Sequence, residues 1–166
     1  MLDAEQQLIA QAQRGDVDAF SSLVEHYRDR LLRFLWLKSG DAGAAEDATQ
    51  EALINAWRYL KSYNNRWQFS TWLYRIGLRQ LKSAPEVHDN TATALSHDNT
   101  EFELEMDNVW RTARSVLSDD ACHALWLRYA EDASIKEIAA IMERTSVWVK
   151  VNLMRSRQRL AQHLNG

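Results

Sequence analysis

The chain has 166 residues, 46% of them hydrophobic, with one cysteine, one proline, five glycines and a formal net charge of −3. That composition supports a folded core and excludes global disorder, and the lone Cys122 excludes an internal disulfide. No window approaches the roughly 20 apolar residues that cross a bilayer, and the polar start "MLDAEQQLIAQAQRGD" lacks a signal-peptide apolar stretch, so a soluble, cytoplasmic protein is expected.

Apolar residues recur at helical spacing along the chain, and strict apolar–polar alternation does not, so the expected class is all-α. Asp3 caps a short first helix that stops at Arg14-Gly15. Asp16 or Asp18 opens a second, where Phe20, Leu23, Val24, Tyr27, Leu31, Phe34 and Leu35 keep helical register up to Lys38. Gly40 is the stop and Asp41 the next cap. A third helix is expected to bury Ala48, Ala52, Leu53 or Ile54, and Trp57. "SYNNRWQ" then reads as a polar loop, and Ser70 caps a fourth helix beginning "TWLYRI".

"SAPEVHDNTATALSHDNT" holds the only proline among Thr, Asn, Asp, Ala and Ser, which is the composition of a linker. The expected architecture is two small helical domains, residues 1–83 and 105–166, joined by a flexible acidic linker over 84–104. In the second, Ser118 caps "DDACHALWLRYA", Ser134 and Glu137 form a capping box ahead of "IKEIAAIM", and Thr145 caps a last helix from Ser146 to about His163. A short amphipathic helix, a tight turn and a longer basic helix are the layout of a helix-turn-helix.

The small net charge hides a segregation. From Ala52 to Pro85 there is no acid, while Arg58, Lys61, Arg66, Arg75, Arg79 and Lys82 interleave with Trp57, Trp67, Trp72 and three tyrosines. From Pro85 to Trp110 there is no Lys or Arg, and from Arg144 to the end no acid. Rings among cations suit single-stranded nucleic acid, which needs faces for bases and charge for the backbone; equally, such rings are core residues beneath a solvated cationic face.

"GAAEDATQEALINAW" followed by "FSTWLYRI" resembles region 2 of the extracytoplasmic-function sigma factors of bacterial RNA polymerase, a branch of the sigma-70 family. "LSDDACHALWLRYAEDASIKEIAAIM" with "VKVNLMRSRQRL" is similar to their region 4. The resemblance implies core RNA polymerase as partner, through its β′ clamp and β flap, together with promoter DNA and an anti-sigma factor, and no cofactor or metal. It assigns Glu46, Asp47, Gln50 and Glu51 to the β′ clamp. It gives Tyr63, Asn64, Asn65, Arg66, Trp67 and Gln68 to a loop that receives a flipped base of the −10 element. Trp72, Tyr74, Arg75 and Arg79 fall on the strand-opening helix, and Trp57 becomes a core ring. Thr145, Ser146, Trp148, Lys150, Asn152, Arg155 and Arg157 fall on the helix that reads the −35 element.

The last helix departs from the family pattern, which is close to Gly-Thr-Val-Lys-Ser-Arg where this chain has "VWVKVN", Val147 to Asn152. Trp148 there is either an exposed ring for an apolar partner or a buried staple. Two readings follow: an alternative sigma factor that recognises and opens promoters, or a sigma-like interaction protein with degraded DNA reading. An enzyme is not indicated, since the five histidines form no ligand cluster and phosphate-binding glycine loops are absent.

Overall fold

The computed structural model of the protein describes residues 3–83 and 108–165; the expected linker lies outside them. Among the described residues there are eight α-helices and no strand. They are α1 (Ala4–Gln13), α2 (Val17–Ser39), α3 (Ala42–Tyr59), α4 (Phe69–Ser83), α5 (Asn108–Val116), α6 (Asp119–Tyr129), α7 (Ile135–Met142) and α8 (Ser146–Leu164), with a 3₁₀ turn over Leu60–Ser62.

Short polar side chains start most of these helices by satisfying amide donors left open in the first turn. Asp3 accepts from the Gln6 amide, Asp16 from Ala19, Asp41 from Gly43 and Ala44, Ser118 from Ala121, Ser134 from Glu137 and Thr145 from Trp148. Gly40 ends α2 in the left-handed region at φ 66°, and a Cβ there would also overlap the Arg114 guanidinium. Ser70 does not cap α4: the helix already includes Phe69, and the Trp72 amide bonds the Gln68 carbonyl at 3.2 Å.

α3 buries Ala48 and Ala52 as expected, but its stripe departs from expectation at Ile54 and Trp57. Ala45, Ala48, Thr49, Ala52 and Ala56 face inward, whereas Ile54 is exposed and Trp57 is 39% exposed against Phe20, ring centroids 5.0 Å apart. Small residues on the inner face let α3 lie close to its neighbours, and the large apolar side chains are left toward the rim. The same close approach occurs at Gly77 of α4, where a Cβ would stand 2.9 Å from the Leu31 side chain.

The two halves share one continuous buried cluster, running from Ile9 and Ala12 in α1 to Val149 and Leu153 in α8. α2 explains how. Phe34, Leu35, Trp36 and Leu37 are all buried in succession, which a helix covered on one side cannot achieve. Their second cover is α6, whose seven residues from Ala121 to Leu127 are likewise all buried.

Candidate nucleic-acid interface

The seam between the halves determines which of the expected site residues are open to a ligand. Glu131, in the turn after α6, accepts the Tyr74 hydroxyl at 2.5 Å and the Arg30 Nε at 3.1 Å, and forms an ion pair with the same guanidinium. Its side chain is almost fully buried, so the carboxylate depends on those donors. Burial first, and the Glu131 carboxylate second, hold the Tyr74 hydroxyl well above the ordinary tyrosine range, which keeps it a donor. Six residues later, in the first turn of α7, Glu137 accepts from Thr71 Oγ1 at 3.3 Å. Arg114 of α5 lies over the Trp36 ring at 5.2 Å and completes the seam near the end of α2.

The loop before α4 is held from within. The Tyr63 hydroxyl donates to the Trp67 carbonyl at 2.7 Å, and Asn64 Oδ1 accepts from the Arg66 amide at 3.0 Å. The Gln13 side chain of α1 donates to the Leu60 and Tyr63 carbonyls, at 3.0 and 2.9 Å. Asn65, Arg66 and Gln68 are exposed, while Trp67 is half-buried with the Lys136 ammonium 5.8 Å from its ring centre. The loop borders a cleft of about 680 Å³ whose far wall is Glu131, Ser134, Lys136 and Glu137.

α4 divides the residues expected on it. Trp72 is half-buried against Tyr63 and Phe69, with ring centroids 5.3 and 5.6 Å away. Tyr74 is fully buried against Phe34, Arg75 is half-buried, and Arg79 is exposed. The structure therefore brings Asn65, Arg66, Gln68 and Arg79 to solvent, and sets Tyr74 in the seam.

Glu46, Asp47, Gln50 and Glu51 are all exposed on α3, on the side opposite its buried alanines. The cap Thr145 and, on α8, Ser146, Lys150, Arg155 and Arg157 are exposed. Trp148 is half-buried beneath the Arg144 guanidinium at 4.9 Å, Asn152 Nδ2 donates to the Trp148 carbonyl at 2.9 Å, and Arg157 Nη1 donates to the Tyr129 hydroxyl at 3.0 Å. Cys122 is a buried thiol that burial pushes up to about 11, a small core residue as expected.

Sequence reasoning missed Arg30, Thr71 and Glu131, and gave Glu137 only its local capping-box role, because the contacts across the seam span 57 to 101 positions of chain. The one available signal was the unbroken apolar run from Phe34 to Leu37, which asks for cover on two sides. Among the described residues, no helix is long and apolar enough to cross a membrane, and no cluster of His, Cys, Asp and Glu could hold a metal.

Residues 23–84 match the sigma-70 region 2 family and residues 115–160 the sigma-70 region 4 family. The chain is 30% identical to the ECF RNA polymerase sigma-E factor of Escherichia coli, covering 93% of this chain and 91% of that one. It is 28% identical to the ECF RNA polymerase sigma factor SigW of Bacillus subtilis, covering 94% of each. Its fold is similar to CnrH in complex with the cytosolic domain of CnrY, at a TM-score of 0.68 and 22% identity over 98% of both chains. It is also similar to the sigma factor RpoE of Bartonella quintana in complex with the anti-sigma factor NepR, at 0.66 and 21% over 90% of this chain and 98% of that one. With both regions in order and a near-complete match to curated relatives, the chain belongs to the extracytoplasmic-function sigma factors of the sigma-70 family, non-enzymatic alternative factors for transcription initiation.

Proposed function

We propose that this sigma factor works in the cytoplasm by docking α3 on the β′ clamp of core RNA polymerase. In the same reading, α8 is aimed at the −35 element and the 63–68 loop, with α4, at the opened −10 element, while the second domain meets the β flap. The observation that carries the reading is the sorting of α3. Glu46, Asp47, Gln50 and Glu51 form an exposed acidic and amide face, backed by a stripe of alanines that fixes which way it points. A face of that charge suits a basic coiled coil.

Strand opening by these residues requires the halves to part, because Tyr74 lies in the seam and Lys136 covers Trp67. The domain division at residues 1–83 and 105–166 is then a mechanical one: two bodies paired at rest and separated at a promoter. An anti-sigma factor is the proposed regulator. It would act by favouring the paired form, a reading supported by the NepR complex of a protein of similar fold. Run-off transcription with core polymerase and genomic fragments tests the whole. The expected result is promoter-specific transcripts, with permanganate-reactive thymines near the start that diminish in Asn65→Ala and Trp72→Ala. Normal opening by both variants would make these residues scaffold.

A further inference from the structure

We propose that α8 reads thymine methyl groups in the major groove through an apolar ridge of Val147, Val151 and Met154; the proposal rests on the promoter-reading role given to this helix above. The ridge follows from what the rest of the helix does. Val149, Leu153 and Ser156 are buried, and at 3.6 residues per turn they define one inward side. Trp148 is covered by Arg144, Asn152 is spent on a backbone carbonyl, and Arg157 is tied to Tyr129. The side opposite the core is left to Val147 and Met154, 71% and 49% exposed, with half-buried Val151 between them.

Apolar side chains cannot satisfy the donors and acceptors that most base edges present, and pressing against them leaves those groups unpaired. The thymine C5-methyl is the apolar group that the major groove offers. Lys150 and Arg155, both exposed and five residues apart, lie about 140° apart around the helix and straddle the ridge. Cations on both flanks and apolar groups between them match a groove with a phosphate strand on either side. A protein partner fits less well: three side chains are far short of the roughly 800 Å² per partner of a stable interface, and, although Arg144 is paired with Asp120, the sequence after Glu143 carries no acid to offset Lys150, Arg155, Arg157 and Arg159.

Selection of tight duplexes from a random library by the full chain supplies the probe, and each thymine of the selected site is then replaced by uracil, which lacks only the methyl. The expected result is one or more positions where the change weakens binding about fourfold, the factor carried by burying one methyl-sized group. Val147→Ala with Met154→Ala should abolish that difference, while Lys150→Ala should lower affinity for both duplexes alike and reduce its salt dependence. Thermal midpoints check that these surface changes leave the fold intact. Equal binding of thymine and uracil duplexes, or discrimination that survives the double variant, overturns the proposal. So does a double variant that loses a protein partner while its duplex affinity is unchanged. If no duplex is selected but run-off transcription proceeds, methyl reading falls and the promoter role stands; if transcripts also fail, the promoter role assigned to these residues falls with it.

Discussion

His123 sits where α6 meets α2, its ring 4.5 Å from Phe34 and its Nε2 without a hydrogen-bond partner. Burial, reinforced by the charge of Lys38, pulls its pKa down to about 3. An ordinary histidine takes up its proton near 6.5, so as pH falls below that value the unfolded chain gains a proton that the folded chain refuses. This residue is therefore without pH cost above about 6.5, and it destabilises the fold progressively as pH drops toward 3. Between about pH 6 and 4 its contribution is about 1.4 kcal/mol per pH unit. Urea unfolding at pH 7, 5.5 and 4.5 should show that slope in the native chain, reduced by about one proton's worth in His123→Leu. Parallel pH profiles for the two proteins would reject the assignment. The same residue also shows what spacing alone could not reveal: adjacent Cys122 and His123 point to different sides of α6, and both sides are covered.

At the scale of single helices, α3 carries the sharpest expectation. Asp47→Lys with Glu51→Lys should leave far-UV helicity unchanged, because both side chains are exposed, and should sharply reduce capture of core polymerase. Undiminished capture would remove the clamp assignment. The helix ends were the most legible part of the sequence, since a cap is decided by a few neighbouring residues: Asp3, Asp41, Ser118, Ser134 and Thr145 all start helices where their chemistry placed them. Asp16, left open against Asp18, is the cap of α2. Packing faces were less legible. Trp57 reads as core by size and by family likeness, yet alanines form the inner stripe and Trp57 lies with Phe20, Leu53 and Ile54 around a shallow apolar groove. α5 was not foreseen at all, although Val109, Trp110, Ala113, Val116 and Leu117 fall at helical spacing once the acidic stretch before them is set aside.

Across the whole molecule, the pairing of the halves converges on Glu131. Removing one partner of a buried pair costs more than the pair contributes, about 3–5 kcal/mol where both charges are fully buried; Arg30 keeps a third of its side chain in water, so a smaller loss applies here. Glu131→Gln should lower the thermal midpoint and enlarge the radius of gyration in solution scattering, with helicity retained. A scattering profile and midpoint equal to those of the native chain would show that the seam is held elsewhere. Tyr74→Phe, which removes one donor and keeps the ring against Phe34, should shift both quantities in the same direction by less.

The exposed ridge of α8 and the covered Trp67 have opposite accessibility in one structure, and the difference sets an order of events. Under the proposed function, a chain can scan double-stranded DNA while paired, but its single-strand surface is complete only in the separated fraction, where Trp67 and Tyr74 are released. Apparent affinity for an opened strand is the intrinsic affinity scaled by that fraction, so a chain separated about one part in a hundred would meet melted DNA about a hundredfold more weakly. The handicap is the same at every sequence. It acts as a threshold that only strong sites, or the polymerase itself by holding the halves apart, can pass. Spontaneous breathing of AT-rich duplex would then go unclaimed by the free protein.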